Sequence, residues 1–529
     1  MRLMKIVRVF PLLLLLILIV SACSGENAST TSTTSTTSTS GDKQADAKAD
    51  EIKTITIGMG TDMLTFDPHN HQTTATETIH INMYNYLVKN NNGEITPDLA
   101  TSWELIDDKT WEFKLRDDVK FHNGDPFTSE DVKFSLERVA KDDSLREHPN
   151  YKQIKEVEII DEYTVRIITH EIDPVLLNRV SRLGSGMIPS KYIEEKGFDE
   201  FLKNPVGTGP FKFVEWKKDD RVVLERNDDY FNGVTTEWDR VVFRAILESS
   251  TRVGELLTGG IDIATEVPPI DWDRINNNNG TSVTQGPVNR TMMLFLRATE
   301  GYATSDVRVR QAIDYAIDDN TIIQSILGGG GKATLTRLNP GNFGFNESLF
   351  DRSNYDPEKA RELLKEAGYE DGVEIVIHSP SGRYFQDKET VEMIGGMLAQ
   401  VGITAKLEFM EWGTFVDLRT AKQHKDAYFI ALGNSLFDAA QALDYYHSER
   451  SSTINDYSNP EVDALLDAAD KNLNTEEREK QYQKVQEIVA EEVPIIPLFQ
   501  IYSFTGVNDR INYEPRIDEM ILIENITLK

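Results

Sequence analysis

The glycine-rich run from Gly328 to Lys332 is the first stretch whose residue types could do chemistry. Glycines followed by a lysine suggest a phosphate-binding loop, in which backbone N–H groups and the lysine hold phosphate oxygens. However, Ala333 stands where such a loop needs Ser or Thr, and Ile326 occupies the position of its first glycine. The spacing therefore argues against a phosphate-binding loop.

Three histidines, His69, His71 and His80, are a second candidate, because imidazole is a common metal ligand. His69 and His71 are only two residues apart, and the sequence around them lacks the flanking carboxylates and supporting pattern of a zinc site. We therefore interpret the segment as a flexible loop at a cleft. A role as metal ligands stays an open alternative.

A catalytic nucleophile is not recognisable in this sequence. No Gly-x-Ser-x-Gly elbow occurs, and no nucleophile and base stand where the sequence could place them together. The 87 Asp and Glu residues are so numerous that pairs of carboxylates carry no information about a glycosidase site. The sequence favours a binding protein over an enzyme.

The only cysteine, Cys23, lies where a secreted protein is processed. Basic residues precede an apolar run at 9–20, which is shorter than the roughly 20 residues needed to span a bilayer. Residues 1–22 therefore read as a signal peptide. Its end, Val20-Ser-Ala-Cys23, resembles a bacterial lipobox, which implies that Cys23 is the acylated first residue of the mature protein. A chain with one cysteine forms no internal disulfide.

Residues 23–51 combine the lipidated cysteine with a Ser/Thr-rich segment that has too few apolar side chains to pack. We expect a disordered tether that holds the folded part away from a membrane. Without the signal peptide the chain carries 53 basic and 87 acidic side chains, a net charge of -34. Such a surface repels nucleic acid, so we expect no nucleic-acid partner.

The rest of the chain is too long for one hydrophobic core, so two or three lobes are expected. Apolar alternation and apolar runs predict strands at 52–57, 111–115, 292–296, 374–377, 403–409, 428–433 and 493–499. Helices are predicted to begin after Thr128, Asp356 and Asn459, which are good N-cap residues, and at 307–318, 388–400 and 476–490. In the second half of the chain, helices and strands alternate as in an α/β layer.

The stretch from Asn204 to Phe231 predicts a strand hairpin. Gly207 and Gly209 form a rigid loop with Pro210, after which Phe211, Phe213 and then Trp216 alternate with polar residues. The motifs Val206-Gly-Thr-Gly-Pro-Phe-Lys-Phe213 and Glu225-Arg-Asn-Asp-Asp-Tyr-Phe231 resemble the signature of extracellular solute-binding protein family 5. Members of this family are the peptide-type receptors of ABC importers.

Other motifs along the chain are also similar to this family, namely Asp67-Pro-His69, the segments at 94–104 and 111–125, the Gly259-Gly-Ile-Asp262 turn and the helix at 307–318. The resemblance covers residues 53–529. It implies an α/β, two-lobed periplasmic-binding-protein-like fold of type II, cluster C, with an extra subdomain in the first lobe. The implied boundaries are 52–85, 204–290 and 501–529 for lobe I, 86–203 for the inserted subdomain, and 291–500 for lobe II.

The resemblance also implies which residues hold a guest. In the dipeptide-binding and glutathione-binding branches an arginine meets the ligand carboxylate, and Arg383 is the best match by position. An aspartate meets the ligand amino group, and Asp438 is the best match, with Asp444 as its competitor. Further ligand contacts are expected from Gly433, Asn434, Thr74, Thr76 and Trp412. The family's Trp and Asp-Pro after the strand at 428–433 are absent, which leaves the size and identity of the guest open.

The sequence therefore predicts a lipid-anchored receptor on the extracellular face of the cytoplasmic membrane. It is expected to capture short peptides, from dipeptides to oligopeptides and including glutathione, and to deliver them unchanged to an ABC permease. We expect a monomer without a cofactor or resident metal, whose only membrane contact is the lipid anchor. The alternatives are a receptor for nickel, haem or an opine-like solute, a secreted hydrolase, and a signalling receptor without transport.

Overall fold

The computed structural model describes residues 52–450 and 456–529. The predicted signal peptide, the tether and Cys23 lie outside these residues and stay predictions. None of the described helices is both long enough and apolar enough to cross a membrane.

The strands of the described residues are, in chain order, β1 (Thr54–Met59), β2 (Val88–Asn91), β3 (Glu94–Pro97), β4 (Ala100–Asp107), β5 (Thr110–Leu115), β6 (Ile154–Asp161), β7 (Thr164–Thr169), β8 (Phe211–Lys217), β9 (Arg221–Arg226), β10 (Arg240–Ala245), β11 (Ile263–Ala264), β12 (Thr281–Leu296), β13 (Gly331–Ala333), β14 (Val373–Pro380), β15 (Ile403–Met410), β16 (Ala427–Gly433), β17 (Ile495–Asn508), β18 (Ile511–Asn512) and β19 (Thr527–Leu528). The seven strands predicted from the sequence are confirmed; five have ends within a few residues of the prediction, whereas β12 begins eleven residues before the predicted start at 292 and β17 ends nine residues after the predicted end at 499.

The α-helices are α1 (Thr74–His80), α2 (Ser129–Lys141), α3 (His148–Tyr151), α4 (Leu176–Arg179), α5 (Ser190–Lys196), α6 (Phe198–Lys203), α7 (Ser249–Leu257), α8 (Trp272–Asn276), α9 (Val307–Ala316), α10 (Asp319–Ser325), α11 (Pro357–Glu366), α12 (Asp387–Gln400), α13 (Trp412–Thr420), α14 (Ala439–Leu443), α15 (Pro460–Ala469) and α16 (Thr475–Glu492). The predicted caps begin their helices. The Asp356 carboxylate accepts from the backbone N–H of Lys359 at 3.0 Å, and the Asn459 side chain accepts from that of Glu461 at 2.9 Å.

Most strands belong to one large mixed sheet in the order β15-β14-β16-β12-β17-β11-β1-β10-β9-β8, and β13 pairs with β17. Parallel neighbours such as β14 and β15, or β1 and β10, need crossover connections. In the second half of the chain the helix α12 supplies one of them, which is the α/β alternation that the sequence predicts.

Two long strands, β12 and β17, run through the middle of this sheet and join its halves. Thr281–Pro287 pairs with one end of β17, and Thr291–Phe295 pairs with the other. The register breaks between Pro287 and Thr291, and Asn289 and Arg290 lie in the break. Because an interrupted ladder bends the strands, this is the crossing point between the halves.

Separate apolar cores lie on the two sides of the crossing. Phe66, Phe211 and Trp238 belong to the core around β1, β8 and β10, whereas Leu294 and Ile377 belong to the core around β12 and β14. Residues between β2 and α6 build a third core around the four-stranded sheet β4-β5-β7-β6. Each of these units therefore buries its own apolar face.

The hairpin expected at 204–231 is confirmed as β8 and β9, with one difference in strand β8. Strict alternation would place Trp216 on the face opposite to Phe213. Instead, the pairing shifts between Phe213 and Glu215, and this bulge turns Trp216 to the same side. The rings of Phe213 and Trp216 lie 5.0 and 5.4 Å from the ring of Phe66.

The loop before β8 needs glycine because it lies directly against another backbone segment. A Cβ atom at Gly207 would stand 2.1 Å from the carbonyl oxygen of Met83. The N–H of Gly209 donates to the same oxygen at 2.8 Å. Any side chain at Gly207 would push the loop off the segment that follows α1.

Candidate ligand-binding cavity

A cavity of about 550 Å³ lies where residues between α1 and α5, the strand crossing and the C-terminal segment meet. Its walls include residues of α1, the loop before β2, the loop after α4, the crossing at Asn289 and Arg290, the loop after β16, and residues 516–525. The Asn178 side chain donates to the Leu436 carbonyl at 2.8 Å, so α4 and the loop after β16 touch beside the cavity. A guest here would contact both halves of the sheet.

Three asparagines fix the wall at the strand crossing. The Asn289 amide donates to the Asn434 carbonyl at 2.7 Å, and the Asn434 amide donates to the Asn342 side chain at 2.7 Å. The side-chain oxygen of Asn434 is buried and has no hydrogen-bond partner among the described residues. Since an unpaired buried acceptor is costly, this oxygen leaves one hydrogen bond of the wall unmet.

Arg290 and Glu519 place a satisfied ion pair in the same wall. The Nη2 of Arg290 lies 2.9 Å from Oε1 of Glu519, and its Nε lies 3.2 Å from the same oxygen. The pair connects the crossing to the C-terminal segment. The charge of Arg290 is therefore neutralised by another residue of the protein, Glu519.

Arg182 and Glu147 also line the cavity, but their polar groups are not fully paired as those of Arg290 and Glu519 are. Arg182 lines the cavity, and its guanidinium makes no hydrogen bond or ion pair within the described part of the chain. Glu147 is buried; its Oε2 accepts from Asn150 at 3.0 Å, whereas its Oε1 has no partner among the described residues. Burial raises the pKa of the Glu147 carboxyl above its ordinary value. Among the described residues, the wall of the cavity therefore holds one unpaired guanidinium and two buried oxygens without a partner, Glu147 Oε1 and Asn434 Oδ1.

Three of the predicted ligand residues line this cavity, namely Thr74, Gly433 and Asn434. Thr76 does not, because its hydroxyl points into the protein and accepts from the N–H of Leu64 at 3.0 Å. A position in the wall of the cavity does not show a contact with a guest, so the ligand contacts predicted for these residues stay predictions.

Arg383 and Trp412 lie next to each other but are not among the residues that line the described cavity. The exposed Arg383 guanidinium stands 5.0 Å from the Trp412 ring and 5.5 Å from the Tyr384 ring. The Asp387 carboxylate accepts from the backbone N–H of Arg383 at 2.8 Å and fixes the loop. The predicted contact of Arg383 with a ligand carboxylate stays a prediction.

The carboxylate of Asp438 is already bound by other groups of the protein. It is 2% exposed, its two oxygens lie 2.6 and 2.8 Å from the guanidinium of Arg478, and it accepts from the N–H of Ala440 at 3.0 Å as the cap of α14. Its competitor Asp444 lies 3.4 Å from Arg450. Neither aspartate lines the described cavity, so a contact with a ligand amino group stays a prediction for both.

The expectation of a flexible loop around the three histidines is wrong. His69 and His71 are fully buried, and His80 is 1% exposed. His69 bonds the Gly186 carbonyl at 3.0 Å, and burial lowers its pKa to about 4. The carboxylate of Glu77 lies beside His71 and was not predicted from the sequence. Glu77 and His80 are three residues apart on α1, a spacing that puts both side chains on one helix face.

Arg182, Glu147 and Arg290 were not predicted from the sequence either. Arg290 had a weak signal, since it is a charged residue directly before the apolar strand Thr291–Leu296. Arg182 and Glu147 had no such signal, because only the packing of the residues between β2 and α5 brings them to the cavity.

Comparisons with known proteins agree with this architecture. The profile described as "Bacterial extracellular solute-binding proteins, family 5 Middle" matches residues 94–453. The di/tripeptide-binding protein 1 of Pseudomonas aeruginosa is 28% identical over 470 residues, which cover 82% of this chain and 86% of that protein. Heme-binding protein A of Haemophilus influenzae is 30% identical over 464 residues, covering 81% and 83%.

A solved structure extends the likeness to three dimensions. The periplasmic binding protein DppA of Helicobacter pylori, in complex with the peptide STSA, superposes with a TM-score of 0.74 at 27% identity, covering 90% of this chain and 98% of that one. The expected two-lobed α/β fold is confirmed. With the profile match spanning most of the sequence, the chain belongs to the bacterial extracellular solute-binding proteins of family 5.

Proposed function

We propose that this protein captures short peptides, from dipeptides to oligopeptides and including glutathione, in the cavity between its lobes and delivers them to an ABC permease. Family 5 solute-binding proteins serve transport and are not enzymes. The relatives named for di- and tripeptides and for glutathione support this class of guest. A cavity of about 550 Å³ is within the roughly 300–1,000 Å³ typical of small-molecule sites.

The observation that carries the proposal is the set of unpaired polar groups in the cavity. A free peptide is a zwitterion, so it needs a cation for its carboxylate and acceptors for its ammonium group. Arg182 offers the first, and Glu147 Oε1 and Asn434 Oδ1 offer the second. Leaving either peptide end unpaired in a closed cavity would cost several kcal/mol. We therefore assign these three residues to the peptide ends, alongside the contacts predicted for Thr74 and Gly433.

In this proposal, binding of a guest shifts the population of the protein from an open to a closed form. The guest touches both lobes only when they are closed, so it stabilises the closed form by its additional contacts. The crossing at Asn289 and Arg290, where the pairing of β12 and β17 is interrupted, is the hinge in this proposal. The protein acts as a monomer.

Mass spectrometry of the protein purified from its own host, under native and then denaturing conditions, tests this function. We expect a released peptide of the same mass before and after incubation. We also expect a smaller radius of gyration by small-angle scattering when that peptide is added back. Release of haem, nickel or an opine would overturn the peptide proposal, as would chemical conversion of the guest or scattering curves that do not change.

We further propose that acylated Cys23 anchors the protein outside the cytoplasmic membrane. With Cys23→Ala the only acceptor for the lipid is lost, so the protein should move from the membrane fraction to the medium. Stable anchoring needs at least two acyl chains, because a single chain binds a membrane only marginally. A protein without its lipid is therefore not expected to stay on the membrane. Ser24→Ala is the matched control and should stay in the membrane fraction. Membrane retention of the Cys23→Ala protein, measured by fractionation and immunoblotting, would contradict the lipid anchor.

A further inference from the structure

Three side chains, His71, Glu77 and His80, converge on one buried point next to the cavity. Nε2 of His71 lies 3.1 Å from Nδ1 of His80 and 3.5 Å from Oε2 of Glu77. Each residue is at most 4% exposed. One ligand atom from each of the three lies within 4.8 Å of the others.

These separations fit a metal ion. Ligand atoms about 2.0–2.1 Å from a tetrahedral zinc ion lie about 3.3 Å from one another. The two shorter separations, 3.1 and 3.5 Å, lie on either side of that value. Two imidazoles and one carboxylate are also a ligand set that zinc takes with a fourth position left open.

Hydrogen bonds to neighbouring residues fix two of the three side chains, His80 and Glu77, in the protonation and orientation that a metal ligand needs. Nε2 of His80 lies 2.9 Å from the Thr65 carbonyl oxygen, which can only accept, so His80 carries its proton on Nε2 and turns bare Nδ1 to the cluster. The Tyr86 hydroxyl donates to Oε1 of Glu77 at 2.5 Å, so Oε2 is left facing His71. Partners of this kind orient the ligands of metal sites.

A simple hydrogen bond from His71 to His80 is the alternative. It accounts for one distance but not for the buried carboxylate of Glu77 at the same point. Nδ1 of His71 has no partner among the described residues, so it can carry the proton when Nε2 binds an ion.

We propose that His71, Glu77 and His80 bind a divalent cation of the zinc class. Glu77 also lines the cavity, so the fourth position is reached from there and is filled by water or by an electron-pair donor of a guest. The proposal does not depend on the guest being a peptide.

A second buried histidine pair provides the control. Nδ1 of His378 lies 2.9 Å from Nδ1 of His424, but Glu408 lies 3.3 Å from the other nitrogen, Nε2, of His378. The possible ligand atoms therefore do not converge on one point. His424→Gln removes a buried imidazole without touching the proposed site.

The test is titration of chelator-treated, untagged protein with ZnCl₂ by calorimetry, in the absence of any guest. All variants also carry Cys23→Ala, so that no thiol competes for the ion. We expect one ion per chain, at least about 100-fold weaker binding in Glu77→Gln and His80→Gln, and unchanged binding in His424→Gln. Tyr86→Phe removes no ligand and is expected to weaken binding about 10-fold through the orientation of Glu77.

Cobalt absorption gives a second readout that does not depend on stability. The unmodified site should give the visible d–d bands of a tetrahedral ion, and Glu77→Gln, with folding checked by circular dichroism, should lose them. The proposal is overturned if the unmodified site binds zinc no more tightly than the His80→Gln protein. Equal losses from His424→Gln and His80→Gln would also overturn it. Because no guest is present, either failure leaves the peptide proposal untouched.

Discussion

Replacing Asp438 with asparagine is expected to lower the free energy of unfolding by about 3–5 kcal/mol, because it leaves a buried charge without its partner. Asp438 and Arg478 form a two-bond ion pair at 2.6 and 2.8 Å, and their side chains are 3% and 5% exposed. Asparagine can still cap α14 through its oxygen. The measured loss therefore reports the charge of Asp438 and not the cap. Urea unfolding followed by circular dichroism measures it.

Two further variants separate the causes. Asp444→Asn is the matched control, because Asp444 is 44% exposed and its ion pair with Arg450 is solvent-accessible; we expect a loss below about 1 kcal/mol. Asp438→Leu combined with Arg478→Met should recover most of the stability, because apolar pairs often replace buried ion pairs without loss. If Asp438→Asn kept full stability and instead lost peptide binding, the ligand role predicted from the sequence would hold and the structural role would fail.

The parts of the fold that the sequence predicted correctly depend on neighbours within a few residues. Asp356 and Asn459 begin helices α11 and α15 because a cap and the proline after it act within one turn. The alternation at 403–409 predicted strand β15 because one side of that strand packs on the core, with Ile403 buried and Ala405, Leu407 and Phe409 half-buried. The face of Trp216 was not predictable in the same way, since the bulge in β8 depends on how that strand pairs with β9.

The cavity was harder to predict because its side chains come together only through packing between distant segments. Glu147 and Asn434 are nearly 300 positions apart in the chain, and their unpaired oxygens are a property of the folded cavity. The role of Asp438 was also hidden, because its partner Arg478 follows forty residues later. Glu77 and His80 did leave a local signal in their helical spacing, and it was missed because the flanking sequence was expected to form a loop.

Arg182→Gln is expected to weaken binding of a peptide with a free carboxylate by about 100-fold, which corresponds to about 3 kcal/mol. The loss should be this large because the peptide carboxylate would stay buried without its cation. The same peptide with an amidated C-terminus should bind both proteins with nearly equal affinity. Since the guanidinium of Arg182 makes no hydrogen bond or ion pair with the described residues, its replacement should change stability little. Calorimetric titration with the two peptides measures the difference.

Arg383→Gln is the matched control, because Arg383 is the arginine that the family resemblance assigns to the same carboxylate. It lies outside the lining of the cavity and packs on Trp412, so we expect its loss to change the affinity for both peptides by less than about 3-fold. If Arg383→Gln instead removed the preference for the free carboxylate and Arg182→Gln did not, the guest would lie nearer to α13 than the cavity indicates. Equal losses for the acid and the amide in Arg182→Gln would mean that Arg182 contributes to the shape of the cavity but does not bind the carboxylate.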